Sequence, residues 1–322
     1  MKETLKNVTT IDSPAGKLAV LLPGLGAVGT TLIAGVLAAR RGLARPVGSL
    51  TQLARLGDEP DSPRLSEALP LAQLDDVVFG GWDIFEDNCY EAAVNAGVLE
   101  SRHLDPIREE LEAIKPMKAV FDHVWVHNID GPNVKQAPTK MDLANALIDD
   151  INTFMADHDC ERAVGVWCAS TEVYVGVGPI HNDLKSFEQG LRDNHEAISP
   201  AMIYAYAHIK AGVPYINGAP NAAVELPALV QLAEQNGVPI AGKDFKTGQT
   251  LIKTIVAPGM AARMIGVNGW YSTNILGNRD GVVLDDPGSF KTKEQSKLSV
   301  LDSILDKEAY PEIYGEIGRA HV

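Results

Sequence analysis

Through about the first two hundred residues, short apolar runs alternate with segments whose apolar residues recur at helical spacing, which predicts an α/β unit built on a parallel sheet. Lys17 to Leu22 reads as a short buried strand, and Val77 to Phe79, Val120 to Val126 and Ala163 to Trp167 read as further strands. Helical spacing marks Thr31 to Arg40, which ends on a basic residue, and then Asp142 to Met155 and Pro200 to Ala211. Gly57 to Pro70 is acidic and proline-rich, and Asp130 to Thr139 is rich in turn formers, so both read as surface loops. Pro214 to Gly218 is again extended and ends in Asn-Gly, and a second strand-and-helix set with clustered lysines follows it. The pattern therefore predicts a Rossmann-like parallel-sheet domain over residues 1–215 and a separate α+β unit over residues 216–316.

The predicted first strand and first helix bracket Gly24-Leu25-Gly26-Ala27-Val28-Gly29, which places G-x-G-x-x-G at a strand-to-helix turn. Gly24 permits the tight turn, Gly26 lets a pyrophosphate approach the backbone, and Gly29 brings helix and strand together. A nucleoside triphosphate loop shares the G-x-x-x-x-G spacing but needs a lysine next, where this chain has Thr30. The glycine pattern alone also fits a turn that holds no ligand.

Composition narrows the classes further. With 322 residues, 45% of them hydrophobic and 22% charged, the chain can bury two cores. A net charge of −14 disfavours nucleic acid and anionic membranes as partners, so an anionic substrate needs a local cationic pocket. The sequence has no apolar run of about 18 residues, and its first ten residues lack the apolar core of a signal peptide, which points to the cytoplasm. Cys89, Cys160 and Cys168 are too scattered for a disulfide framework or a C-x-x-C site. His123 and His127 are four apart, but no third ligand follows at metalloenzyme spacing, so no metal site is assigned. Trp82, Trp125, Trp167 and Trp270 sit in apolar runs as packing residues, and neither Ser170 nor Ser296 has a G-x-S-x-G context.

Further along come Gly80-Gly81-Trp82-Asp83-Ile84, Asn217-Gly218-Ala219-Pro220-Asn221, the run GKDFKTGQT from Gly242 to Thr250, Asn274 to Gly281 (NILGNRDG), and Lys293 to Val300 (KEQSKLSV). In this order they strongly resemble the myo-inositol-1-phosphate synthase family, prokaryotic type, from about Leu18 to Gly315. The resemblance implies conversion of D-glucose 6-phosphate to 1L-myo-inositol 1-phosphate, which is the same compound as 1D-myo-inositol 3-phosphate. NAD is retained throughout: the hydroxyl at carbon 5 is oxidised, a proton leaves carbon 6, an aldol attack on carbon 1 closes the ring, and the hydride returns. The family also implies a homotetramer at full length, with the 216–316 unit serving catalysis and assembly. Two other readings stay open, a dehydrogenase with net hydride transfer and a non-catalytic NAD-binding protein.

Such chemistry needs ammonium groups beside an enolate, an alkoxide and a phosphate dianion. By resemblance Lys246 and Lys297 serve the reacting oxygens or the phosphate. Lys253, seven residues past Lys246 and so two helical turns on, joins them if a helix starts near Thr247. The family often has a further lysine where this chain has Leu251. Lys243, Lys291 and Lys293 read as a solvated face. Asp83 suits the adenosine ribose, because a carboxylate accepts two hydroxyls and repels the extra phosphate of NADP. Ala169-Ser170-Thr171-Glu172, after the Ala163 to Trp167 strand, is expected at the nicotinamide half, with Ala169, Ser170 and Thr171 as its cofactor contacts and Asn278 and Asp280 completing that end or a cation site beside it.

The final six residues, Ile317 to Val322, read as one translated frame of a common short-read sequencing adapter, with Glu316 fitting the overlapping codon. Family members continue past this point, so the expectation is a truncated reading frame with an artificial tail over residues 317–322, which would leave the chain with reduced solubility or activity.

Overall fold

In the computed structural model, which describes residues 16–245, 248–272, 279–315 and 317–321, six parallel strands form one sheet. They are β1 (Lys17–Pro23), β2 (Val77–Asp83), β3 (Met117–Lys118), β4 (Cys160–Trp167), β5 (Tyr215–Asn217) and β6 (Ile240–Gly242), in the order β3-β2-β1-β4-β5-β6. This is the doubly wound dinucleotide-binding order, with its reversal point between β1 and β4. The sheet runs on through β5 and β6, past the boundary at residue 215 expected from the sequence.

Alternation along β1 explains why helices cover both faces. Ala19 and Leu21 pack into a core with the helices α3 (Lys140–Asp157) and α4 (Pro200–Lys210), while Leu22 packs on the other face with α1 (Ala27–Arg40) and α2 (Cys89–Ala96). Thr139 caps α3, and Ser199 caps α4 ahead of Pro200 at its first helical position. In the first of these cores Tyr204 lies edge-on between Trp82 and Trp167, with ring centroids 5.5 Å from each.

The strand expected over Val120 to Val126 is corrected. Pairing with β2 ends at Lys118, and residues 123–125 turn. Asp122 forces the change, because its carboxylate accepts the Val124 N–H at 2.9 Å and its carbonyl accepts the Trp125 N–H at 2.9 Å. The Val120 N–H then donates to the Tyr204 hydroxyl rather than to a strand.

Beyond the sheet, α5 (Gln249–Ala262) and α7 (Pro287–Ile304) flank the short α6 (Asp280–Leu284). Ala257, Val267, Leu301, Leu305, Tyr314 and Ile317 form a separate apolar cluster there. Two parallel strands, β7 (Gly269–Ser272) and β8 (Gly318–His321), lie beside it, so the residues expected as an artificial tail pair as a strand.

Candidate functional site

A cleft of about 490 Å³ opens at the C-terminal edge of the sheet, where β1 and β4 diverge. Gly24, Leu25, Gly26, Ala27 and Val28 line it, as do Asp83 at the end of β2, Ala169, Ser170 and Thr171 after β4, and Asp280. Asn278 and Lys246 lie outside the described residues.

The loop geometry follows from where a side chain cannot fit. Gly24 has φ 92°, and a Cβ there would fall 2.4 Å from the Ala169 N, so β1 and β4 approach this closely only with glycine. A Cβ on Gly29 would lie 2.8 Å from the Gly24 carbonyl oxygen, which lets α1 begin tight against the turn. Gly26 differs: a Cβ there meets nothing within 4 Å, so the backbone presents an open surface. Gly26 is also the N-cap of α1, which has no side-chain cap and no acidic residue in its first turn. The first N–H groups of the helix thus remain for an anion.

Asp83 ties this loop to the neighbouring strand. Its Oδ2 accepts the Leu25 N–H at 2.8 Å and its Oδ1 accepts the Phe85 N–H at 3.1 Å. Burial pushes the Asp83 carboxyl up, and the N–H groups of Phe85, Leu25 and Ile84 and the charge of Arg279 hold it back. Arg279 lies 3.8 Å from the centre of the Phe85 ring, and both residues line the cleft. A carboxylate has about four acceptor positions, so ribose hydroxyls can join the two N–H donors. An open glycine surface, an uncapped helix start and a carboxylate at the end of β2 together fit a dinucleotide.

Opposite Asp83, the segment after β4 is fixed by a buried polar network. Glu172 lines the cleft yet is buried; its Oε1 accepts the Ala201 N–H at 2.8 Å, and Ser199 is a second hydrogen-bond partner. The Glu172 N–H donates to Asn221 Oδ1 at 2.8 Å, Asn221 Nδ2 donates to the Ser170 carbonyl at 3.3 Å, and Asn217 Nδ2 donates to the Asn221 carbonyl at 2.8 Å. Burial pushes Glu172 up to about 7, against the bonds from Ser199 and Ala201. Burial likewise pushes the Cys168 thiol up to about 12, so this lining cysteine is a neutral thiol. The sequence places Glu172 in the segment expected at the nicotinamide half but gives it no role of its own. Its sequence signal is its isolation: no other acid occurs between Glu161 and Asp183, and no Lys or Arg occurs between Arg162 and Lys185.

The lysines are arranged differently from the expectation. Lys293, read from sequence as solvated, lines the cleft and pairs with Asp244 Oδ1 at 3.1 Å, while the Ser296 hydroxyl donates to Asp244 Oδ2 at 2.8 Å. Asp244 is itself buried. Lys253 is fully buried between α5 and α7, and its ammonium donates to the Lys297 carbonyl at 2.6 Å. Neither Lys253 nor Lys297 is among the residues lining the cleft. The helix carrying Lys253 starts at Gln249, close to the expected start near Thr247, which itself lies outside the described residues. Lys243 pairs with Glu225, and Lys291 lies 4.7 Å from the Tyr174 ring centre. Leu251 is exposed.

His127 Nδ1 lies 2.9 Å from Asp286 Oδ1, which joins the loop after β3 to the start of α7, and the bond raises the His127 imidazole. His123 stands 6.3 Å from it, ring centre to ring centre.

A sequence model described as myo-inositol-1-phosphate synthase matches residues 18–305. The chain is 51% identical over 320 residues to inositol-3-phosphate synthase 1 of Bacteroides thetaiotaomicron, covering 98% of this chain and 73% of that protein. It is 34% identical over 319 residues to the inositol-3-phosphate synthase of Saccharomyces cerevisiae, covering 90% of this chain and 60% of the yeast protein. The crystal structure of inositol-3-phosphate synthase from Caenorhabditis elegans superposes with a TM-score of 0.83 at 28% identity, over 95% of this chain and 65% of that one. The chain is thus shorter than these relatives.

Proposed function

The chain belongs to the myo-inositol-1-phosphate synthase family, and from that premise we propose that it converts D-glucose 6-phosphate to 1L-myo-inositol 1-phosphate with NAD retained through the cycle. The observation that carries this reading is that one cleft joins the glycine loop and Asp83 to the Asp244–Lys293 pair. Bound NAD supplies a hydride acceptor that is regenerated, so the reaction has no net redox change.

The chain's own groups divide the remaining work. The uncapped start of α1 and the open face of Gly26 take the pyrophosphate, and Asp83 takes the adenosine ribose. Ala169, Ser170 and Thr171 border the nicotinamide half, with Asn278 and Asp280 at the same end. Lys293, oriented by Asp244, offers an ammonium to the substrate phosphate or to the developing enolate and alkoxide oxygens. By resemblance Lys246 shares that task, whereas Lys297, outside the cleft lining, gives its carbonyl to Lys253, which holds α5 against α7. Trp167 and Phe245 wall the cleft and exclude water.

Residues 216–316, which share β5 and β6 with the sheet and contribute most of the apolar cluster beyond it, serve catalysis and assembly as a homotetramer. We place the protein in the cytoplasm; among the described residues no helix is long and apolar enough to cross a membrane.

The test is inositol phosphate formation from glucose 6-phosphate with catalytic NAD. Product without accumulating NADH supports the synthase. Stoichiometric NADH makes the protein a dehydrogenase, and tight NAD binding without product makes it a binding protein.

A further inference from the structure

The charge on a nicotinamide ring distinguishes the two redox forms of the cofactor: the ring is a cation when oxidised and neutral when reduced. A fixed negative group beside that ring therefore favours one form, and only where water does not screen it.

Asp83 ends β2, on one side of β1, and so marks the adenosine half of the cleft; the segment ending β4, on the other side of β1, faces the second mononucleotide. Glu172 stands in that segment, 3% exposed and lining the cleft. Its position is fixed by Ser199, by the Ala201 N–H and by the Asn221 clamp on its own backbone. The charged groups felt there are Asp122 and Lys140. Lys140 commits its ammonium to the carbonyls of His195 at 2.8 Å and Ile198 at 2.6 Å, and among the described residues no lysine or arginine forms an ion pair with Glu172. Tyr215, which also feels Glu172, is held neutral by burial.

We infer that Glu172 makes the cleft select the oxidised, cationic form of the dinucleotide over the reduced, neutral form. This rests on the reading that the cleft binds NAD. Such a bias suits a reaction that must give its hydride back, because the reduced state is then the less comfortable one. The Glu172 carboxyl, pushed up to about 7 by burial, adds a pH signature: the preference is present when the group is ionised and fades as it takes up a proton.

The experiment is calorimetric titration of the chain with NAD+ and with NADH at about pH 8 and about pH 6, repeated with Glu172→Gln, which keeps an acceptor for the Ala201 N–H. At the higher pH the variant is expected to bind NAD+ about five- to tenfold more weakly, with NADH changed by less than about twofold. The wild-type preference is expected to shrink severalfold at the lower pH, and the preference of the variant to stay flat. Equal weakening of both forms, or an unchanged ratio, overturns the inference while leaving the dinucleotide reading intact. Wild-type protein that binds neither form overturns both.

Discussion

The Leu25 N–H and the Asp83 carboxylate are joined at 2.8 Å across 58 residues of sequence, so the conformation of the glycine loop is set by the strand beside it. Asp83→Ala removes acceptors for Leu25 and Phe85 together and should lower stability by about 2 kcal/mol. It should also weaken NAD at least about tenfold and narrow the preference for NAD over NADP. Thermal unfolding with paired NAD and NADP titrations checks this; unchanged discrimination would detach Asp83 from the ribose.

Two glycines in the same loop should fail in opposite ways. Gly24→Ala meets both a φ of 92° and a backbone 2.4 Å from its new Cβ, so folding should suffer by about 2 kcal/mol or more. Gly26→Ala has open space and should leave stability within about 0.5 kcal/mol while reducing dinucleotide affinity, because the added methyl occupies the side from which phosphates approach. Denaturant unfolding and NAD titration of the two variants separate the effects.

Lys293→Met removes the ammonium that lies 3.1 Å from Asp244, whose side chain is 2% exposed. Loss of one member of a buried pair costs about 3 kcal/mol, and the variant should lose inositol phosphate formation as well. Asp244→Asn in the same chain should recover part of the stability and none of the activity.

His208 predicts an acid limit to stability. Burial pushes its imidazole down to about 4, while Nδ1 bonds the Tyr204 carbonyl at 2.8 Å. The unfolded chain takes up this proton at the ordinary value of about 6.5, so it binds more protons than the folded chain below that pH. The contribution is therefore complete above about 6.5 and is lost as pH falls toward about 4, by about 3 kcal/mol in all. His208→Leu should flatten the stability profile across that window, whatever constant cost it adds.

The elements legible in the sequence are those that depend on local pattern. The glycine turn, the helix over residues 140–157 and the helix behind Ser199-Pro200 each combine periodicity with a cap or a turn residue. The stretch from Val120 to Val126 misled because its apolar content suits a strand, while the single carboxylate of Asp122 bends the backbone. Which lysine meets the cleft was not legible either. Lys293 and Lys297 are four apart on one helix, and only packing against Asp244 decides that Lys293 faces the opening. The burial of Glu172 was not legible because it comes from the turn into α4, whose start lies 28 residues on, at Pro200.

The Trp82–Tyr204–Trp167 stack adds an optical property to this architecture. Both indoles border the cleft, and Tyr204 between them passes its excitation to either. A reduced nicotinamide absorbs where indole emits, whereas an oxidised one does not. Ultraviolet excitation of the native chain should therefore report the redox form of whatever dinucleotide it holds, turnover by turnover, with no label attached.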